Sequence, residues 1–404
     1  MRARLSARVG AVFLSAVGVQ CMSLGASRAQ SAEPIRIGAI VGVSGNDVAQ
    51  GNELTNGMRL AIERFGPRVN GRDIQLIVED DSSNPNVGLQ KARKLIQSDR
   101  VDIIAGIQLS SAALAISPVV IAARIPTILS LSAANALTGA RCSPWIFRAS
   151  YANAQLAAPL GKWAYDKGYK SVYILGADFV TPRELATDFT TSFEKAGGKV
   201  VGQSFSPFGK TQDFGPYLSQ VRATAPDAML AIYFGAEAIL FTKQYESFGL
   251  RDKLPVIATL GTTPVMLRQA QGDSALGVVS SLNYLPELET PENKTFQEAY
   301  RARFNATASE FGVMGYDSMR FAIEGLKKVN GDTADKAALA KAIGEVAFNG
   351  PRGPMKMDPK TNNVSQNIYI ARTVKKGDGT AFELLDTVQN VSADAGACNM
   401  PPLK

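Results

Sequence analysis

The stretch IIAGIQLSS, residues 103–111, decides the fold because it joins a buried strand to a helix through a tight turn. The apolar residues before Gly106 predict the strand, and an apolar periodicity over residues 112–122 predicts the helix. The first N–H groups of a helix have no partners inside it and lie at the positive end of its dipole, so this junction can bind an anion such as a carboxylate. Ser110 or Ser111 can instead serve only as a helix cap. Both interpretations remain open from these residues alone.

The same alternation of apolar strand and amphipathic helix continues along most of the 404 residues. Short connections between such units favour parallel sheets covered by helices, and the length is sufficient for two such domains. We therefore predict an α/β fold with two doubly wound parallel-sheet lobes. Ligands in this architecture bind outside the carboxyl ends of the strands. The predicted strand ends lie at residues 44–50, 106–111, 132–135, 178–183, 234–237 and 259–262.

The N-terminus has the pattern of a secretory signal sequence. A basic start, an apolar core over residues 9–24 and small residues before Gln30 predict a signal peptide of residues 1–29. Four of the 43 basic residues and none of the 36 acidic residues lie in that segment, so the net charge of +7 falls to +3 without it. We therefore expect an exported, soluble protein. This small net charge does not favour nucleic acid as a partner, and the sequence has no basic stripe with interleaved aromatic residues.

Two cysteines remain after the predicted cleavage, Cys142 and Cys398. In an oxidising compartment they predict a disulfide that ties the C-terminal tail to the middle of the chain. Two separate thiols are the alternative.

Motifs of catalysis and cofactor binding are absent from the sequence. The chain contains no His, which excludes Ser-His-Asp and Cys-His nucleophiles and His metal ligands. It also lacks the glycine-rich nucleotide-binding motifs and Cys-x-x-Cys, so we expect no cofactor and no metal. The carboxylates Glu79, Asp80 and Asp81 leave one enzymatic alternative, an exported carboxylate-dependent hydrolase. A solvated strand end that caps the next helix is the simpler interpretation, and we expect no catalytic residue.

Several segments together resemble one protein family. They are residues 35–57 (IRIGAIVGVSGNDVAQGNELTNG), 69–71 with 79–81, 106–115, 125–135, 147–148 and 315–317. In this order and spacing they are similar to the leucine/isoleucine/valine-type periplasmic substrate-binding proteins of ABC transporters. The resemblance implies the type I periplasmic binding fold, in which two lobes joined by a three-segment hinge close over a small ligand. It implies a first lobe of residues 30–148 and 280–352 and a second lobe of residues 149–279 and 353–404.

The resemblance also implies ligand-binding positions. In family members that bind amino acids, hydroxyl and backbone N–H groups of the first lobe hold the ligand carboxylate. The matching positions here are Leu109, Ser110, Ser132 and Ala134. The acid that holds the ammonium group in those members is replaced by Leu260, so a buried ammonium would lack its counter-charge. The other expected ligand contacts are Gln50, Tyr151, Phe179, Thr181 and Ala236, with Phe234, Tyr316, Arg148 and Arg183 as further candidates.

These positions keep the carboxylate end of the site and lose the ammonium end. They predict a periplasmic solute-binding component of an ABC importer for a small apolar carboxylate, similar to the exported binders of benzoate- or cinnamate-like acids. A branched-chain amino acid or amide binder is the alternative in the same class. The expected partners are the carboxylate ligand and the membrane subunits of an ABC permease, and we expect a monomer.

Overall fold

The computed structural model describes residues 1, 5–6, 33–45, 48–393 and 398–403. The predicted signal sequence lies outside these ranges apart from residues 1, 5 and 6. The strands are β1 (Ile35–Val41), β2 (Arg68–Val69), β3 (Arg72–Asp80), β4 (Ile103–Gly106), β5 (Thr127–Leu129), β6 (Ile146–Arg148), β7 (Ser171–Ala177), β8 (Lys199–Ser206), β9 (Ala228–Ile232), β10 (Val256–Thr259), β11 (Val279–Leu282), β12 (Ala347–Gly350), β13 (Gly353–Met357), β14 (Val364–Lys376) and β15 (Gly379–Val391).

The α-helices alternate with these strands up to β11 and then follow one another in a group of three. They are α1 (Val48–Phe65), α2 (Pro85–Gln97), α3 (Ser110–Ala122), α4 (Asn153–Asp166), α5 (Val180–Lys195), α6 (Gly215–Thr224), α7 (Gly235–Ser247), α8 (Arg268–Gln271), α9 (Pro291–Phe304), α10 (Glu310–Lys328) and α11 (Lys336–Gly344). Within the described ranges, no helix combines the length and the apolar character needed to cross a membrane.

The strands form two sheets. The first has the order β2-β3-β1-β4-β5-β6, and its pairs are parallel except for β2 with β3. The second has the order β12-β13-β14-β11-β10-β9-β7-β8, with β15 beside β14. Its pairs among β7 to β11 are parallel, and β12 to β15 join by antiparallel pairs. We call the first sheet with α1–α3 and α9–α11 lobe 1, and the second sheet with α4–α8 lobe 2. This arrangement confirms the predicted α/β fold with two lobes.

The segment Gly315-Tyr316-Asp317 in α10 connects lobe 1 to segments of the chain that pass between the lobes. A Cβ atom at Gly315 would lie 2.0 Å from the carbonyl oxygen of Leu54, so only glycine lets α10 approach α1 this closely. The buried carboxylate of Asp317 accepts a hydrogen bond of 2.7 Å from the buried guanidinium of Arg352. Arg352 also donates to the carbonyl of Ala149, just after β6, at 2.7 Å. This buried ion pair therefore connects α10 to two of the segments that pass between the lobes.

Residues 178–183 differ from the prediction. We expected a loop there, but α5 begins at Val180 and contains Pro182 in its first turn. Proline lacks an N–H group, and the first N–H groups of a helix have no acceptor within the helix in any case. Pro182 is therefore compatible with the start of a helix.

Strands β12 and β13 are absent from the sequence prediction. They form an antiparallel hairpin after α11, where the chain passes to lobe 2. Both are short, and they contain Gly350, Gly353 and Pro354, residue types that are depleted in strands. The pairing with β14, rather than local propensity, makes these residues strands.

Cys142 and Cys398 form a disulfide, with their Cα atoms 5.6 Å apart. The structure agrees here with the pairing predicted from the sequence. The bond joins segments that are 256 residues apart and fixes the C-terminal tail beside the loop between β5 and β6.

Candidate binding site

A cavity of about 360 Å³ lies where the carboxyl ends of strands from both lobes meet. Loops after β3, β4 and β5 form its lobe 1 side with residues of α1 and α10, and loops after β7, β8, β9 and β10 form its lobe 2 side. The lining residues are Gln50, Ser83, Pro85, Gln108, Leu109, Ser110, Ser111, Leu131, Ala133, Tyr151, Phe179, Val180, Thr181, Phe208, Phe234, Leu260, Gly261, Pro264 and Phe311. Among the residues that the structure describes, no charged side chain lines this cavity.

Ser110 begins α3 on the lobe 1 side of the cavity. The residue before it, Leu109, forms no side-chain capping hydrogen bond. The Oγ of Ser110 instead accepts the backbone N–H groups of Ala133 and Ala134 at 3.1 and 3.2 Å. A hydroxyl that accepts two hydrogen bonds keeps its own proton to donate. The interpretation of Ser110 as a helix cap is therefore wrong: its side chain fixes the loop after β5 and provides a donor beside the first N–H groups of α3.

Three phenylalanines lie together on the lobe 2 side. The ring centroid of Phe179 lies 4.5 Å from that of Phe208 and 5.6 Å from that of Phe234. Gly261 gives Phe234 its space, since a Cβ atom at Gly261 would lie 2.2 Å from the ring. Phe208 is 49% exposed, so this aromatic wall extends to the mouth of the cavity.

Glu310 joins the two lobes beside the cavity. Its two carboxylate oxygens, at the start of α10 in lobe 1, lie 3.1 and 3.3 Å from the backbone nitrogen of Val265 in lobe 2, which donates to them. The adjacent residues Pro264 and Phe311 both line the cavity. Burial raises the pKa of Glu310 to about 7, although hydrogen bonds from its own backbone N–H and from Val265 act in the opposite direction. A carboxyl group that titrates near neutral pH therefore links the lobes at this site.

Most of the predicted ligand contacts come together around this cavity. Seven of them line it: Gln50, Leu109, Ser110, Tyr151, Phe179, Thr181 and Leu260. Phe234, a further candidate for the wall, lines it as well.

Ser132, Ala134 and Ala236 lie outside the lining. Leu131 and Ala133 of the loop after β5 line the cavity, whereas Ser132 and Ala134 of the same loop are buried and do not line it. Ser132 is 1% exposed, and its Oγ has no hydrogen-bond partner among the described residues. Ala236 is exposed near the start of α7.

Arg148 does not line the cavity but contacts the loop after β5. Its Nε donates to the carbonyl of Ser132 at 3.2 Å, and its Nη1 donates to Thr138 Oγ1 and Asn363 Oδ1 at 2.7 and 3.1 Å. Complete burial lowers the pKa of this guanidinium to about 9. Arg148 thus holds the loop after β5 through its carbonyl groups, whereas Ser110 holds it through its N–H groups.

The two other candidates, Arg183 and Tyr316, also lie outside the lining. Arg183 forms an exposed ion pair of 2.7 Å with Asp178. The ring of Tyr316 packs against Phe65 and Phe296, with centroids 5.2 and 4.7 Å away.

The carboxylates of residues 79–81 are occupied by local partners. Glu79 forms two ion pairs of 2.7 Å with lysines of α2. Burial of Asp80 opposes its ionisation, but hydrogen bonds from Ser44 and Ser82 outweigh this and lower its pKa to about 2. None of the three carboxylates lines the cavity, and the described part of the chain contains no group of three Cys, Asp or Glu residues placed to hold a metal.

Sequence reasoning missed part of the lining. The missed positions include Ser83, Pro85, Gln108, Leu131, Ala133, Val180, Phe208, Gly261, Pro264 and Phe311. Gln108, Ala133, Val180 and Gly261 lie within strand ends that the sequence identified, so the same rule was sufficient to find them. Phe208 follows β8 and Phe311 lies in α10, and no local pattern connects either of them to the cavity.

Comparisons with solved structures place the chain among solute-binding proteins of ABC transporters. It is similar to an ABC transporter substrate-binding protein from Sphaerobacter thermophilus, with 35% identity and a TM-score of 0.87 over 90% of this chain and 100% of that one. It is also similar to a solute-binding protein of an ABC transporter from Rhodopseudomonas palustris BisB5, solved in complex with 3,4-dihydroxybenzoic acid. That match has 31% identity and a TM-score of 0.84 over 89% of this chain and 98% of that one.

Sequence comparisons agree with the structural ones. A segment of 221 residues is 30% identical to the Leu/Ile/Val-binding protein homolog 6 of Brucella melitensis, a match that covers 54% of this chain. The chain thus spans about half the length, 56%, of that curated relative. The family model described as "Periplasmic binding protein" matches residues 34–378. Because that match covers most of the chain, the protein belongs to the periplasmic binding protein family.

Proposed function

We propose that this protein is the solute-binding component of an ABC importer and that it binds a small aromatic monocarboxylate between its two lobes. The observation that carries the proposal is the composition of the cavity wall. Hydroxyl and backbone donors lie at the start of α3, aromatic rings lie on the lobe 2 side, and the described lining has no charged side chain.

The ligand carboxylate binds at Ser110 and the first N–H groups of α3. Ser110 directs a hydroxyl donor there because its two acceptor positions are taken by Ala133 and Ala134. The positive end of the α3 dipole favours an anion at the same point. A carboxylate bound in this way needs no Lys or Arg, which is consistent with the uncharged lining of the described cavity.

The rest of the ligand is flat and apolar. Phe179, Phe208 and Phe234 present ring faces and edges that suit an aromatic ring, and the Leu260 side chain adds an aliphatic contact. The benzoate derivative in the structure of the Rhodopseudomonas palustris relative supports the same class of ligand.

A branched-chain amino acid is the second candidate, which the name of the Brucella relative favours. Its α-ammonium group would need an acidic partner, since an uncompensated buried charge costs several kcal/mol. Leu260 lies in the cavity wall at the position where the resemblance predicts that acid, and the described lining supplies neither Asp nor Glu. An aromatic acid is therefore the better fit.

The role is binding and delivery, without turnover. Closure of the lobes around the ligand presents it to the membrane subunits of the permease in the periplasm. The secretory pattern of residues 1–29 and the disulfide between Cys142 and Cys398 support export to an oxidising compartment.

Calorimetric titration of the purified protein tests the proposal. The panel is benzoate, 4-hydroxybenzoate, 3,4-dihydroxybenzoate, cinnamate, leucine and leucinamide. We expect one aromatic acid to bind at a single site and, at 100 times its Kd, to stabilise the fold by about 2.7 kcal/mol. Leucine or leucinamide binding more tightly than every aromatic acid would establish the alternative, and a lack of binding by all six compounds would refute both candidates.

A further inference from the structure

Gln108 and Gln50 form a hydrogen-bonded chain whose direction is fixed by the backbone. The N–H of Gly42 donates to Gln108 Oε1 at 3.2 Å, which identifies that atom as the oxygen because a backbone N–H can only donate. Gln108 Nε2 then donates to Gln50 Oε1 at 3.1 Å. The remaining amide atom, Gln50 Nε2, is therefore a group that can only donate.

Close backbone packing fixes the position of these two hydrogen-bonded side chains. A Cβ atom at Gly51 would lie 2.1 Å from the carbonyl oxygen of Gly42, so the first turn of α1 lies directly on the end of β1. Gln50 is adjacent to this contact and Gln108 is two residues before Ser110. The amide of Gln50 thus has a defined position on the same wall as the proposed carboxylate contact.

The Nε2 of Gln50 has no hydrogen-bond partner in the part of the chain that the structure describes. The other polar side chains of the described lining are hydroxyls, which both donate and accept, and Gln108. An aromatic ligand displaces water from this donor when it fills the cavity. The donor is then left unpaired unless the ligand itself supplies an acceptor, and an unpaired buried donor is unfavourable.

We propose that Gln50 makes the site selective for aromatic acids that carry a second oxygen acceptor, such as a methoxy, hydroxyl or keto oxygen, on the ring. This inference rests on the proposed function, since it assigns the substituent of the same ligand. The carboxylate binds at Ser110, and the ring oxygen accepts a hydrogen bond from Gln50 Nε2. A cavity of about 360 Å³ has room for such a substituent beyond the ring.

Matched pairs of ligands test the inference by calorimetry. 3- and 4-methoxybenzoate are compared with 3- and 4-ethylbenzoate, which have the same length and a CH₂ group in place of the oxygen. We expect the wild-type protein to bind one methoxy compound about tenfold more tightly than its ethyl counterpart, as for loss of one hydrogen bond to a buried donor. The unsubstituted benzoate serves as the reference for the carboxylate contact.

Two variants distinguish the effect of losing the Gln50 donor from an effect on the fold. Gln50→Glu keeps an acceptor for Gln108 and removes the donor, and Gln50→Leu removes both. In each variant we expect the ratio of methoxy to ethyl affinity to fall to within about twofold of one. The ratio is independent of any general loss of carboxylate binding, because both ligands of a pair carry the same carboxylate. Thermal unfolding of each variant checks that the fold is retained.

The outcomes distinguish this inference from the proposed function. Equal binding of methoxy and ethyl compounds by the wild-type protein, or a preference that persists in both variants, overturns the inference alone. If the variants lose benzoate and both substituted acids to the same extent, Gln50 binds the carboxylate and the inference is also overturned. If no aromatic acid binds the wild-type protein, the proposed function falls and the inference falls with it.

Discussion

The lobe 1 wall of the cavity is polar and fixed by the backbone, whereas the lobe 2 wall is aromatic and fixed by packing between side chains. In lobe 1, Ser110 is held by the N–H groups of Ala133 and Ala134, and Gln108 is held by that of Gly42. In lobe 2, Phe179 and Phe234 contact each other through their rings. Backbone groups have one possible hydrogen-bonding role, but rings can shift and still pack.

This difference indicates a division of roles between the lobes. Lobe 1 determines which polar atoms a ligand must present and where, because its donors cannot change direction. Lobe 2 contributes contact area that is nearly the same for any flat apolar group. Changes in lobe 1 should therefore alter selectivity or stability sharply, and changes in lobe 2 should alter affinity by modest and similar factors for all aromatic ligands.

The largest effect is expected at Glu310, where the two walls are joined. Its pKa rises from 4.5 to about 7 on folding, so the folded protein binds more protons than the unfolded chain between these pH values. Stability from this group is complete below about pH 4.5 and is lost as the pH rises through 7, by up to about 3 kcal/mol. The substitution Glu310→Gln removes the titration and keeps the contact, because the amide oxygen of the new side chain can still accept the N–H of Val265.

Urea unfolding of the wild-type protein and Glu310→Gln between pH 4.5 and 8 measures this effect. We expect the stability of the wild type to fall relative to the variant as the pH rises. The comparison cancels the titrations of carboxyl groups that do not interact with Glu310, such as Asp80, whereas Glu53, whose charge raises the pKa of Glu310, is part of the measured effect. Parallel pH profiles for the two proteins would show that Glu310 does not titrate in this range.

The second effect concerns the carboxylate contact at Ser110. Loss of a hydrogen bond to a charged group costs about 1.5–3 kcal/mol, so Ser110→Ala should weaken benzoate binding roughly ten- to hundredfold. The same loss should apply to every carboxylate in the panel, whatever its ring substituent. The matched control is Ser117→Ala in the same helix, whose Oγ donates only to the carbonyl of Leu114 at 3.3 Å. An affinity of Ser110→Ala within twofold of the wild type would place the carboxylate elsewhere.

Two glycines compare the rigidity of the walls directly. An alanine Cβ at Gly51 would lie 2.1 Å from the backbone oxygen of Gly42, whereas one at Gly261 would lie 2.2 Å from the ring of Phe234. The backbone cannot move without breaking the lobe 1 wall, so Gly51→Ala should lower the free energy of unfolding by about 1–3 kcal/mol. The ring can turn aside, so Gly261→Ala should cost less than about 1 kcal/mol. Equal losses in urea unfolding would contradict the proposed difference between the walls.

The junction at residues 103–111 in the lobe 1 wall could be predicted because its determinants are local. Strand, turn, Ser110 and helix are contiguous, and buried-strand periodicity is a strong signal. Which residues of the loop after β5 face the cavity could not be predicted in the same way. Arg148 and Ser110 hold the loop after β5 so that Ala133, and not Ser132, faces the cavity, and this depends on contacts between separate elements.

The contribution of Phe208 to the lobe 2 wall could not be predicted because it comes from a segment distant in the sequence. Phe208 reaches the cavity from the loop after β8, and Phe179 meets it only because β7 and β8 are neighbours in the sheet. No residue near Phe208 in the sequence indicates this. The alternation of strands and helices was nevertheless sufficient to predict the two-lobed α/β fold, because it follows from hydrophobic periodicity and short connections.

The smallest effect is expected at Phe208, at the mouth of the aromatic wall. Its ring is 49% exposed and contacts Phe179, so Phe208→Ala should leave the fold unchanged. Loss of one aromatic contact is worth about 1 kcal/mol, which corresponds to about fivefold weaker binding. The factor should be the same for benzoate, methoxybenzoate and ethylbenzoate, since the ring offers area and no hydrogen bond. Phe248→Ala, a change of another exposed phenylalanine of lobe 2 outside the cavity, should leave all three affinities unaltered. Phe208→Ala could instead change the preference between methoxy and ethyl compounds. Lobe 2 would then also recognise the polar substituent, and the proposed division of roles between the lobes would be wrong.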